Sequence, residues 1–271
     1  MNGSDSINTH GGGAMSYLFQ KTKEQWLAEG EAHYQVKRFE EALEAYANVL
    51  LLDPHDAAVY NHKGFALLKL RRNEEAFDAF SKARDAYEFA IHLHPTDAET
   101  YVGKGLALHG LNRTLEALLA FGHALELDPA HAEAYNGIGL VLSASGRDKE
   151  ALDAFERAIL RAPTHATYYA NKGSVLVKLK RYAEALGPAE RAIQLAPTNA
   201  EAYSVKAHAL RKLKCYTDAL GVYERLLALN PNLEHAWMNK AEVLKQLGRS
   251  KEAQQAYATV RRLSERRWRG W

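Results

Sequence analysis

Twelve histidines, one cysteine and 33 aspartates and glutamates are the side chains of this 271-residue sequence that could do chemistry, and their spacing decides whether they do. A helical metal site needs ligands about one turn apart. His92 and His94 are two apart, which turns them to different faces of a helix, and neither an HExxH segment nor a comparable carboxylate-histidine pair occurs. His55, His131 and His165 fall just after prolines and read as solvated turn residues. Cys215 follows Arg211, Lys212 and Lys214, cations of the kind that lower a thiol pKa, but no reactive role is expected of it. A single cysteine can form neither an internal disulfide nor a thiolate zinc site. No GxxxxGK[ST], GxGxxG or GxSxG segment is present. The chain therefore reads as a non-enzyme, with no catalytic residue, no metal and no cofactor.

The 35 basic residues nearly balance the 33 acidic ones, which argues against a surface built throughout for nucleic acid. No run of about 18 apolar residues exists to span a bilayer, and no charged-then-apolar leader opens the chain, so a reducing, cytoplasmic location is expected. Residues 1–16 are rich in Gly and Ser and too poor in apolar side chains to pack, and disorder is expected there. Met15 reads as the native start, which would make the residues before it a remnant of the expression vector.

With chemistry set aside, organisation carries the signal. Pro54, Pro95, Pro129, Pro163, Pro197 and Pro231 recur at 34 residues after one interval of 41. Between them runs an aromatic column of Trp26, Tyr60, Tyr101, Tyr135, Tyr169, Tyr203 and Trp237. Four residues on stand Gly30, Gly64, Gly105, Gly139, Gly173, Ala207 and Ala241; twelve further on, Ala42, Ala76, Ala117, Ala151, Ala185, Ala219 and Ala253. Tyr46, Phe80, Phe121, Phe155, Tyr223 and Tyr257 follow four later, with Ala189 the exception. Each block thus holds two amphipathic helices joined by a polar turn, and most end at a proline that cannot continue the second. Neither helix buries its apolar stripe alone, so the units must stack.

These columns resemble the tetratricopeptide-repeat family, with seven repeats over residues 23–267, a flexible segment 1–22 and a tail 268–271. The resemblance implies an all-α solenoid: a right-handed superhelix of helix-turn-helix units whose first helices line a concave groove. It also implies a protein-interaction scaffold that takes a peptide in that groove.

Three departures stand out. Repeat two carries seven extra residues after Ala76, in phase with the helix, so that Tyr87 and Ala90 repeat Phe80 and Ala83. They read as a protruding two-turn contact surface, as a break in superhelical register, or as one longer neutral helix. Gly187-Pro188 falls inside the second helix of repeat five and predicts a kink or a late start. Repeat seven has Glu265 where the others have proline, so its helix can run on into Arg261, Arg262, Arg266 and Arg267, an uncapped end suited to self-association or an acidic partner.

First-helix positions outside the packing columns are the candidate peptide-binding residues: Asn61, His62, Phe65, Val102, Leu106, His109, Asn136, Leu140, Asn171, Ser174, Lys178, His208 and Asn239. Amides would pair with a peptide backbone while Phe65, Leu106 and Leu140 take its side chains. The alternative is that Leu106 and Leu140 pack between helices and that Gly103 and Gly137 permit tight curvature. The family's clamp for acidic chaperone tails carries Lys, Asn, Asn, Lys and Arg where Leu27, Glu31, His62, Glu99 and Gly103 stand, which argues against that ligand. The lysines Lys63, Lys104, Lys172, Lys206 and Lys240 read as stems packed along the helices with their ammonium groups in water. Two rival functions remain: nucleic-acid or acidic-partner binding by the Arg/Trp tail through Trp268 and Trp271, and a recruiting module for a catalytic domain outside this chain.

Overall fold

A computed structural model describes residues 21–269, with side chains up to residue 265. The expectations for residues 1–16, for Trp268 and for Trp271 lie outside what it describes. The described residues form seven helical hairpins, each a first and a second helix: α1 (Lys23–Gln35) with α2 (Phe39–Leu52), α3 (Ala57–Lys69) with α4 (Asn73–Leu93), and α5 (Ala98–Gly110) with α6 (Thr114–Leu127). Then come α7 (Ala132–Ala144) with α8 (Asp148–Arg161), and α9 (Ala166–Lys178) with α10 (Tyr182–Leu195). The last are α11 (Ala200–Lys212) with α12 (Tyr216–Leu229), and α13 (Glu234–Gln246) with α14 (Ser250–Arg269).

The repeated columns have physical roles. In repeats one to four the glycine of the first helix lets the aromatic of its partner helix lie flat on the backbone: a Cβ on Gly64 would stand 2.6 Å from Phe80, and one on Gly105 2.7 Å from Phe121. Tyr46, Phe80, Phe121, Phe155 and Tyr223 are accordingly all but fully buried, beside fully buried Ala42, Ala76, Ala117, Ala151 and Ala219. Aromatics at the start of the first helices staple the preceding loop, since Tyr60, Tyr135 and Tyr169 donate their hydroxyls, and Trp237 its Nε1–H, to the carbonyl of the proline six residues earlier. At the head of the second helices, Arg72, Arg113, Arg147, Arg181 and Arg249 fork onto the glutamate three residues on.

Four of the five lysines in the column are paired. Lys104, Lys172, Lys206 and Lys240 reach back to Glu88, Glu156, Glu190 and Glu224 at 2.9–3.2 Å, each bridging to the second helix of the preceding repeat. The glutamate always stands sixteen residues before the lysine, a spacing the sequence contains but that gains meaning only once hairpins stack. In repeat five the second helix begins at Tyr182, in line with its counterparts, and runs through Pro188 without a late start. As expected, α14 continues past Glu265 and reaches 20 residues.

Repeat two is where the regular stack changes. Its second helix is a single 21-residue α4, so the seven extra residues form no separate projection. Between repeats three and four one aromatic serves two glycines, Phe121 lying on Gly105 of its own hairpin and on Gly137 of the next. Across the long helix this duty is divided: Phe80 lies on Gly64, while Tyr87, seven residues on, lies on Gly103. Repeat three is therefore displaced along α4 by two helical turns, about 10 Å. The displacement swings Gly110 onto Phe80 and leaves Phe77 exposed beside a cleft of about 370 Å³ lined by Leu68, Asn73 and Leu111.

Candidate functional site: the concave face

Successive first helices from α3 to α11 touch one another directly while their second helices lie further apart, so the first helices form the inner wall of the curve. Their spacing is set by Gly103 and Gly137, where a Cβ would overlap the rings of Tyr87 and Phe121. Without a Cβ at these two positions the rings lie against the backbone of the next first helix.

The inner wall holds the predicted residues in three different situations. Asn61 and Asn136 are buried and engaged within the wall: Asn61 donates to the Gly103 carbonyl at 2.8 Å, and Asn171 donates to Asn136 Oδ1 at 2.8 Å. Val102 is 1% exposed and belongs to the core between α5 and its neighbours. Phe65, Leu106 and Leu140 are partly buried; Phe65 packs edge-on against Phe80 at 4.9 Å with His109 beyond it at 6.5 Å. His62 lies against Tyr46, and its Nδ1 is buried without a hydrogen bond. His208 faces Tyr182 at 6.3 Å, and Asn239 is partly exposed on α13.

Four of the thirteen converge. Leu140, Asn171, Ser174 and Lys178 line a cleft of about 180 Å³ between α7 and α9, floored by Phe155 and Val175. Lys178 Nζ closes one side by donating to Ser143 Oγ at 2.6 Å and to its carbonyl at 3.3 Å, and Ser143 in turn bonds Asp148 at 3.2 Å. Asn171, which lines the cleft, occupies the place of Gly103 and Gly137; one layer on, Ala189 replaces the column's aromatic ring, and Val205 packs on Gly173 instead. Its volume is well under the roughly 300–1,000 Å³ of a small-molecule pocket and matches a single side chain of a longer ligand.

Charge is unevenly spread along the wall. At the N-terminal ends of the first helices, burial pushes the Glu133 carboxyl above its usual range and neighbouring Glu99 adds to this, only partly offset by His131. The Tyr168 hydroxyl is raised to about 12 by burial and then by Glu133 and Glu99, and Tyr87 is raised by burial together with Asp56, Glu99 and Glu133. At the C-terminal ends of α9, α11 and α13 stand Lys178, Arg211, Lys212 and Lys245. His131 and His165 are not simply solvated: His131 caps α7 by accepting from Ala134 N at 3.4 Å and contacts Glu99 at 3.1 Å, and His165 stacks on Tyr168 at 4.3 Å. Among the described residues no group of three His, Cys, Asp or Glu could hold a metal ion, and no helix is long and apolar enough to cross a membrane.

Sequence reasoning missed the polar residues that join distant repeats. Asn230, 6% exposed, donates through Nδ2 to the carbonyls of Val36 at 3.2 Å and Lys37 at 3.0 Å, and Lys37 Nζ reaches Glu201 Oε2 at 3.1 Å. The signal was a single amide: Asn230-Pro231 stands where Asp53-Pro54 and Asp128-Pro129 carry a carboxylate.

Family models described as tetratricopeptide repeat match residues 55–130 and 130–198, and two further models of the same description match 24–56 and 205–266. None of the curated protein sequences compared with the chain matches it. Among solved structures, the chain is similar to YrrB, described as a TPR protein with an unusual peptide-binding site, at 27% identity over 66% of this chain and 93% of that one, with a TM-score of 0.57. It also resembles MamA from Desulfovibrio magneticus RS-1, at 21% identity over 62% of this chain and 95% of that one, with a TM-score of 0.58. A third likeness is to the Cut9–Hcn1 hetero-tetramer of the APC/C, at 17% identity over 93% of this chain and 49% of that one, with a TM-score of 0.68. Matched along most of its length by models of the repeat whose columns build its core, the chain belongs to the tetratricopeptide-repeat family.

Proposed function

We propose that this protein is a non-catalytic scaffold that binds an extended peptide segment along its concave face, anchored by one side chain in the cleft between α7 and α9. The observation that carries this is the cleft itself. It is sized for one side chain, has an apolar floor of Leu140, Phe155 and Val175, and presents Ser174, Asn171 and Lys178 at its rim. Tetratricopeptide arrays serve as protein-interaction scaffolds, and YrrB, the neighbour with 27% identity, is described by its peptide-binding site. The amides engaged inside the wall, Asn61 and Asn136, hold successive first helices in place, and the rim groups supply ligand contacts.

The test is selection of short peptides from a displayed random library on the intact protein, followed by binding to Ser174→Arg and Lys178→Glu variants of matched helicity. Both side chains are at the rim, so the fold has little at stake. Expected is an enriched peptide class whose binding is lost with Ser174→Arg, which fills the cleft, and shifted in charge preference with Lys178→Glu. Enriched peptides that bind all three proteins equally would overturn the assignment of the cleft.

A further inference from the structure

We infer that the seven-residue insertion in α4 closes the superhelix into a latched single turn, with Asn230 as the latch. Two independent sets of contacts lead there.

The first is the latch. The upper rim is the side where each first helix turns into its second, and the lower rim is the side of the loops between repeats. Val36 and Lys37 are on the upper rim of repeat one; Asn230 and Glu201 are on the lower rim of repeat six. Three polar contacts join them across more than 160 residues of sequence: Asn230 Nδ2 to both carbonyls, and Lys37 to Glu201. The Asn230 amide is fully used, since its Oδ1 accepts from Asn232 N at 3.1 Å, the same loop bond that Asp53 makes to His55 and Asp128 to Ala130. A carboxylate there could make the loop bond but could not donate to Val36 and Lys37. Burial pushes the Glu201 carboxyl up, but Lys37, with Lys69 and His235, more than offsets this and holds it below its usual range.

The second is the direction of the displacement. Second helices descend from the upper to the lower rim, and Tyr87 lies seven residues further down α4 than Phe80. By seating Gly103 on Tyr87, the insertion lowers repeats three to seven by about 10 Å relative to repeats one and two. The latch joins the lower rim of repeat six to the upper rim of repeat one, so lowering the later repeats brings these surfaces together. Without the insertion, Phe80 would serve both Gly64 and Gly103, as Phe121 serves Gly105 and Gly137, and the same surfaces would stand about 10 Å apart.

The sequence supplies a clean deletion. Removing Ser81 to Tyr87 joins Phe80 to Glu88 and restores both the 34-residue spacing and the glutamate that pairs with Lys104. The experiment places spin labels at Arg38→Cys and Asn232→Cys, both exposed, in a Cys215→Ser background and measures the distance distribution in the full chain, the deletion and Asn230→Asp. Expected is one narrow, short distance in the full chain and a mean longer by about 10 Å in the deletion. Asn230→Asp should give a broadened distribution with a new long component, because the insertion still sets the pitch while the latch has lost its donors. A deletion of full helicity whose distance is unchanged would overturn the role of the insertion. An unchanged distribution in Asn230→Asp, which leaves every repeat contact in place, would overturn the latch whether or not the deletion folds.

Discussion

The same substitution at two glycines near Phe121 is expected to move stability in opposite directions. Gly122 is on α6, one residue beyond Phe121, and a Cβ added there meets nothing within 4 Å. Gly122→Ala therefore gains helix propensity alone, about 1 kcal/mol. Gly137, on α7, faces the Phe121 ring, and its added Cβ would overlap that ring. The ring cannot retreat, because Gly105 holds its other side at 2.7 Å from an equivalent Cβ and Phe121 is 0% exposed. Overpacking of a tight core costs roughly 1–3 kcal/mol and here opposes the same propensity gain. Gly137→Ala should thus be destabilising by up to about 2 kcal/mol, with the stack between repeats three and four loosened. Urea titration followed by helical circular dichroism is the assay. With a slope of roughly 2–3 kcal/mol per molar, the midpoints should move up by about 0.3–0.5 M for Gly122→Ala and down by up to about 1 M for Gly137→Ala. A Gly137→Ala protein as stable as Gly122→Ala would refute the view that ring-on-glycine contacts set the approach of consecutive hairpins.

Further outcomes can be checked with the same protein. Lys180 sits at φ 60° in the turn where Gly146 and Gly248 take the same backbone, so Lys180→Gly should raise the urea midpoint by the equivalent of about 0.5–1 kcal/mol. A lower midpoint would show that the lysine side chain matters more than the strain. The Lys172–Glu156 bridge is partly exposed, so a double-mutant cycle should return only about 0.2–1 kcal/mol, shrinking as salt is added. A larger, salt-insensitive coupling would contradict this. Burial lowers the pKa of His62, with Glu31 and Asp56 opposing it, and burial likewise comes first for His109, His165, His208 and His235. In each case the unfolded chain, with imidazoles near 6.5, binds protons that the folded one does not. Stability should hold above about pH 6.5 and fall as pH drops through that value, less steeply in His62→Phe; a flat profile between pH 7 and 5.5 would contradict it.

The columns of aromatics, glycines, alanines and prolines determine the hairpin and the need to stack it, because each encodes a contact within about 34 residues: ring on glycine, hydroxyl on proline carbonyl, proline against helix. That is why the helix pairs and the family were legible from the sequence. The inner wall was legible in part. Leu140, Asn171, Ser174 and Lys178 were named from their positions on the first helices, but the cleft they share depends on how two first helices sit over Phe155 and Val175. Sequence position alone also could not separate Asn61 and Asn136, engaged inside the wall, from Ser174 at its rim, since burial follows from how closely the neighbouring helix approaches. The lysine column looked like free charge until stacking placed a glutamate beneath four of its members. The insertion could be counted but not interpreted, because seven residues keep the face of a helix while moving everything after it by two turns. Only the tertiary structure decided where that displacement led. It is carried unchanged through repeats three to six and appears where Asn230 meets Val36 and Lys37, a contact between segments that no local rule relates.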